Sequence, residues 1–430
     1  MSEPSTRSYQ RFGPADLMFY CAGLLVLSMM FSPFVLSLSM WGLVAAACWQ
    51  SIDRARALVP SGKNTWLFAL VLSFRRLGQQ PVLLALSLLL LVPAISFFWS
   101  EDLGFWAERT RVRIPFLVLP WAFANLPTMS MRRYQLVLYG LIWMLVITCI
   151  GVAIHFAQHA DTILDGLQHG RPIPVPRNHI RFNLLLATGI LSGGWLWTEH
   201  FCWRYRWERP ALAIALVFLF GFLHFLSVRS GIAALYAALM FTVIRFIIRT
   251  RRWGLGLTGL AWLALLPWLA LRTIPSLQQR ISYMVYDWQQ YQKNAGDNYS
   301  DSERWISLSA GMTLWRNHPV LGVGAGDLPT EIQRVVNQDF PAYTLAPKLP
   351  HNQFIYLLAG TGLLGMLLSL VAFIAPLTEK RSRQFYLFSA FQIMIFVSFL
   401  VEYTIETAIG VAFYLFYLLW FRDMAKLEKQ

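Results

Sequence analysis

Arg280, Arg304, Arg316 and Arg334 lie within the one long polar interruption of this chain, from Arg272 to His351, and His351 stands where apolar sequence resumes. Arginine suits a diphosphate, because its planar fork presents paired donors and its charge is not lost by deprotonation. An imidazole, with an intrinsic pKa of about 6.5, accepts a proton near neutral pH, which is what a general base must do. Several arginines converging on one histidine would hold a pyrophosphate and activate a hydroxyl beside it. The run LPHNQFIYLLAGTGLLG makes His351 the best-placed base, although a histidine after Pro350 can also serve merely to cap the helix that follows.

The elements that position these residues are membrane helices. Hydrophobic residues make up 57% of the chain and charged residues 13%, and mean hydropathy is +0.49, whereas a soluble domain carries roughly a quarter charged residues. About 20 apolar residues cross a bilayer as a helix, so residues 1–430 form one membrane domain. Apolar runs predict about twelve spans, at 15–32, 33–50, 82–99, 114–127, 135–158, 179–198, 210–228, 230–248, 253–271, 351–376, 385–401 and 403–421. The fourth is short and broken by Pro120. TWLFALVLSF (65–74) is too short to span and reads as an interfacial or cytoplasmic helix.

Charge orients the spans, because short inner loops collect Lys and Arg. With the N-terminus inside, every inner segment is basic, among them the ones holding Arg54 and Arg56, Arg132 and Arg133, Arg249 and Arg251, and Lys380 and Arg381. Both termini are then cytoplasmic, and residues 272–350 form a long periplasmic loop with short helices between spans nine and ten. The net charge of +14 is mostly this topology signal plus attraction to lipid headgroups, and it is weak support for nucleic-acid binding. The loop holds no cysteine, so neither a disulfide framework nor a Cys-based zinc site is expected there.

Positive charge on the outer side is what topology leaves unexplained: Arg171, Arg177 and Arg181 around RPIPVPRNHIRF, Arg229 in the tight hairpin SVRSG, and Arg304 in DSERW. A lone arginine at a membrane edge ordinarily anchors to headgroups. Arg229 resists that reading because almost no loop separates its two spans.

Other motif-like runs carry less. His155 and His159 in HFAQH lack the glutamate of a metalloprotease pair. GVGAGD (322–327) lacks the Lys-Ser/Thr of a nucleotide loop and reads as a tight turn capped by Asp327 that opens a short helix. No Asp-x-Asp pair is present, although Asp297, Asp301, Glu303 and Asp327 lie in the loop, so no metal and no cofactor are expected. Glu402 and Glu406 are placed to pair with a site arginine, to orient His351, or to form a structural ion pair.

HNQFIYLLAGTGLLG resembles the signature of the O-antigen ligase and polymerase superfamily, a His-Asn pair opening a span before a Gly-x-x-Gly pattern. DSERWISLSAGMTLWRNHPVLGVGAGDL, SVRSG and IETAIGVAFYLFYLL resemble other blocks of the same family, in its order, over about residues 225–415. The resemblance implies an all-α, GT-C-like glycosyltransferase of the bacterial inner membrane with its site facing the periplasm. Its donor would be an undecaprenyl-diphosphate-linked glycan. It places the family's essential histidine on His351 and its two arginines on Arg229 and Arg304. Arg177, His179, Arg181, Asn352 and Glu406 are further candidates for binding the diphosphate or glycan.

Three readings compete: an inverting, metal-independent ligase that moves O-antigen to a lipid A-core sugar; a polymerase or protein O-oligosaccharyltransferase using the same donor; and a lipid-linked sugar transporter or flippase. A transporter would place its ionisable groups near the midplane, whereas here the outlying charges sit at the outer edge. The Pro-rich approach to RNHIRF resembles that of the ligases in this superfamily, and with the single long loop this favours the ligase.

Overall fold

A computed structural model describes residues 12–58, 64–292, 300–341, 343 and 348–428. Asp297 falls outside the described residues. The protein is an all-α, polytopic membrane protein, and among the described residues nine helices are long and apolar enough to cross a bilayer.

Three predicted spans fall outside those nine, each for a visible reason. Pro115–Asn125 is short and carries Pro120. Tyr386–Val401 has only 16 residues. His179–Thr198 begins with His, Arg and Asn and contains paired glycines, which lowers its hydropathy. It is nevertheless buried along almost its whole length, packed among Met131–Gln158, Glu208–Phe225, Arg229–Thr250 and Tyr386–Val401. A helix walled in by protein needs no apolar coat toward lipid. Ala408–Leu427 is the other inner helix, its Tyr414, Tyr417 and Trp420 filling the core. Trp253–Thr273 is the opposite case, burying only Gly256 and Ala270 and exposing Trp262, Leu265, Trp268 and Leu269.

Polar clasps tie the helix ends into two sets. At one end Arg54 donates to the Asn125 carbonyl at 2.8 Å, and Arg422 holds Glu379 and Gln80 at 2.8 and 3.1 Å. At the other, Asp327 accepts from the Glu101 and Asp102 amides at 2.9 and 2.8 Å. This corrects the expected role of Asp327. A helix does open at Leu328, but the carboxylate makes no cap bond and instead staples the loop to the end of the Pro81–Phe98 span.

The described residues between 272 and 350 form a layer with its own core. Helices Ser300–Asn317 and Leu328–Asp339 pack Ile306, Leu314, Ile332 and Val336 against Tyr356 and Ala359 of Gln353–Thr378, with Tyr291 of Pro275–Gln292 at the edge. That long helix is not continuous as the apolar run suggested. It breaks at Gly362 (φ 64°, ψ −168°), and residues 319–324 lie across the break. Val323 and Gly324 donate to the Ala359 and Gly360 carbonyls at 3.0 and 2.9 Å, while Leu363 and Leu364 donate to the Pro319 and Val320 carbonyls. Backbone groups freed inside a membrane protein must find partners within it, and the glycine-rich turn supplies them. A Cβ at Gly362 would run into the Val320 carbonyl. Gly362→Ala is therefore expected to destabilise the fold by more than about 1 kcal/mol, seen as a lower unfolding temperature in detergent.

Candidate functional site

Four separate stretches of chain meet at the loop-covered end of the bundle. Ser227 takes a left-handed conformation (φ 55°), and its hydroxyl meets Ser276 at 2.9 Å. The resulting sharp corner puts Arg229 at the first turn of Arg229–Thr250. Two residues on, a Cβ at Gly231 would lie 2.5 Å from the Asn183 Cβ, so glycine lets this helix press against His179–Thr198. The Arg229 guanidinium pairs with Asp301.

Arg304 sits in the first turns of Ser300–Asn317, whose N-terminus is capped from another helix. Asp287, fully buried, accepts from the Asp301 and Ser302 amides at 2.7 and 3.1 Å. Arg304 then donates to Glu402 Oε1 at 2.9 Å.

The same carboxylate reaches His351, whose Nδ1 lies 3.2 Å from Glu402 Oε2. His351 does not cap the helix after it. Asn352 does, accepting from the Phe354 and Ile355 amides and donating to the Leu400 carbonyl at 2.9 Å. A carboxylate at Nδ1 fixes the tautomer with its proton there, leaving the Nε2 lone pair basic. Nε2 is buried and has no hydrogen-bond partner among the described residues. His351, Arg229 and Arg304 line a chamber of about 600 Å³, walled by Trp288 and Trp305. A narrow recess beside it is lined by Arg229 and Arg304 again, with His179 and Arg280.

Burial pushes the Glu402 carboxyl up. The hydrogen bond and charge of His351, with the charges of Arg304 and Arg181, outweigh burial and hold it below the usual carboxylate range. A carboxylate whose folded pKa is depressed below its unfolded value of about 4.3 stabilises the fold above that pH, and the contribution is lost as pH falls through the folded value. Unfolding temperature measured from pH 6 to pH 3 is therefore expected to fall less steeply in Glu402→Gln than in the native protein.

Of the other residues singled out in the sequence, His179 and Arg181 face the same cluster. Asn178 caps their helix, and the Arg181 charge, on a side chain only 8% exposed, is felt by Glu402. Arg177 diverges. It is left-handed (φ 61°) and exposed, and it donates to the Phe31 carbonyl at 3.3 Å. Glu406 also lies apart, in a buried pair with Arg113 and accepting from Gln353 Nε2 at 2.7 Å. His155 and His159 lie with ring centroids 4.5 Å apart and tilted by 38°, and among the described residues no group of three or more His, Cys, Asp or Glu side chains is placed to hold a metal ion.

Arg280 belongs to the cluster although no motif marks it. Its guanidinium donates to the Gly170 carbonyl. Burial, then the charges of Arg229 and Arg304, lower its pKa, with Asp301 opposing. Its place in a weakly patterned loop helix gave no signal beyond an arginine on the outer side.

The fold and site together define a polytopic α-helical membrane protein with a cationic chamber and a carboxylate-held histidine at one end. Residues 214–370 match the family model described as O-antigen ligase, a little over a third of the chain. The match supports placing the protein in the broader O-antigen ligase and polymerase superfamily, with a role in glycan transfer. It takes in Arg229, Arg280, Arg304 and His351 and leaves out His179, Arg181 and Glu402. No curated protein matches the chain.

Proposed function

We propose that this protein is an O-antigen ligase of the bacterial inner membrane. It transfers an undecaprenyl-diphosphate-linked glycan to a lipid A-core sugar hydroxyl at the periplasmic face, with inversion and without a metal. The observation that carries the reading is the Glu402 carboxylate shared by His351 Nδ1 and Arg304, beside a basic Nε2 in a chamber that Arg229 also lines.

His351 Nε2 takes the proton of the acceptor hydroxyl as that oxygen bonds to the anomeric carbon. The bond from that carbon to the diphosphate oxygen breaks, and the electron pair leaves with the polyprenyl diphosphate. Glu402 stabilises the imidazolium that forms. Arg229 and Arg304 neutralise the charge growing on the departing oxygen, the effect that preorganised donors exert best in a site shielded from water. Each guanidinium has five N–H donors, so Arg304 keeps its bond to Glu402 while facing the diphosphate. Arg181 and Arg280 add positive potential behind the pair.

Loss of the gene is expected to leave lipopolysaccharide without O-antigen while lipid-linked chains of normal length accumulate. Lipopolysaccharide carrying one repeat would instead identify a polymerase. Transfer by the purified protein is expected to persist in excess chelator, and loss restored by magnesium or manganese would overturn the metal-free mechanism.

A further inference from the structure

At the end of the bundle opposite His351, a cavity of about 660 Å³ is lined by Arg249, Lys380, Arg381 and Lys426, with Gln384 and Glu428. Lys426 is engaged by Asp423 at 2.5 Å. Among the described residues Arg249, Lys380 and Arg381 form no ion pair, and all three are exposed. Loop charge that only sets topology needs no such concavity.

Gln384 also lines a second, larger cavity of about 930 Å³, which is apolar. From there its wall runs along Leu377, Ile374, Phe373 and Leu370 of Gln353–Thr378 and reaches Phe396 and Phe399 toward the far end of Tyr386–Val401, where they meet Phe354. Leu370 to Leu377 covers about 10 Å of helix, a large part of one leaflet's share of a hydrocarbon core about 30 Å thick. Arg245 stands at the junction, one turn before Arg249, donating to the Arg383 carbonyl at 3.0 Å.

We propose that the two cavities, which share Gln384 in their linings, together form a binding site for one anionic diacyl phospholipid of the adjoining leaflet. Its phosphate lies among Arg249, Lys380 and Arg381, and its acyl chains lie along Phe373, Ile374 and Phe396. Basic pockets between membrane helices take anionic headgroups for this reason. The apolar cavity that shares Gln384 with the pocket selects a lipid over a soluble phosphate. The site is separate from the transfer chemistry and stands whether or not the protein is a ligase.

The test is native mass spectrometry of the full-length protein in detergent, titrated with palmitoyl-oleoyl phosphatidylglycerol or the matching phosphatidylcholine. One phosphatidylglycerol is expected to be retained on the order of 100-fold more tightly than phosphatidylcholine, the size three nearby cations supply. The triple variant R249Q/K380Q/R381Q should lose that preference. Ile374→Trp, which fills the apolar cavity and keeps the cations, should lose retention too. Equal retention of both lipids, or a triple variant that retains phosphatidylglycerol like the native protein, would overturn the proposal. So would competition by glycerol 1-phosphate at the lipid's own concentration, which would mark a soluble-anion site. An unchanged unfolding temperature in lipid-free detergent certifies the variants, and the single change Lys380→Glu replaces the triple variant if that one does not fold.

Discussion

His351→Ala is expected to lower the transfer rate by about 10²- to 10⁴-fold, the contribution of a positioned general base, while donor binding stays close to native. The fold should tolerate the change, because Asn352 rather than His351 caps the following helix. Exogenous imidazole has room in the chamber of about 600 Å³ that His351 lines. Partial recovery of rate with added imidazole would separate loss of a base from loss of structure. Native-like turnover by the alanine variant, measured with purified protein, lipid-linked glycan and core acceptor, would remove His351 from the mechanism. Glu402→Gln should follow the same pattern without emptying the site. An amide accepts a hydrogen bond but cannot balance an imidazolium, and the equivalent change in a Ser-His-Asp triad costs about 10⁴-fold.

Arg304→Gln is the second large effect, on the order of 10²- to 10³-fold in kcat, or about 3 kcal/mol of transition-state stabilisation, the loss typical of one oxyanion-stabilising donor. Arg229→Gln should cost a similar amount. Arg304→Lys should recover little of it, since a point charge cannot present the paired donors of the fork. The two arginines differ in what their loss leaves behind. Arg229 pairs with Asp301, whose other carboxylate oxygen is buried without a hydrogen-bond partner among the described residues. Arg304 pairs with a carboxylate that is 3% exposed and is otherwise held by His351. Both changes are therefore expected to lower the unfolding temperature as well as kcat, Arg304→Gln the more, because Glu402 is 3% exposed and Asp301 15%. Variants with unaltered kcat would show that the diphosphate is held elsewhere in the cluster.

The closeness of Glu402 to His351 illustrates how local spacing misleads. Glu402 and Glu406 are four residues apart, the spacing that places two side chains on one helical face. The chain between them is not α-helical. Glu402 ends Tyr386–Val401 in an extended conformation, and Thr404–Glu406 forms a 3-10 turn. One carboxylate therefore turns to His351 and the other to Arg113. Arg177 and Arg181 separate in the same way. A left-handed residue precedes the Asn178 cap, so Arg177 leaves toward Phe31 while Arg181 follows its helix inward.

The sequence by itself determined the membrane class and most helix positions, because these depend on apolar run length, while its family resemblance pointed to the three residues of the proposed chemistry. Side-chain chemistry and hydropathy are local properties, legible one segment at a time. Tertiary structure alone decided which helices are walled in by protein, that Gly362 breaks a span across which residues 319–324 are bonded, and that Arg280 and Glu402 join the cluster. Those outcomes turn on backbone groups and charges finding partners dozens of residues away. Burial inside a low-dielectric bundle makes such partners obligatory, but only the packed fold selects them.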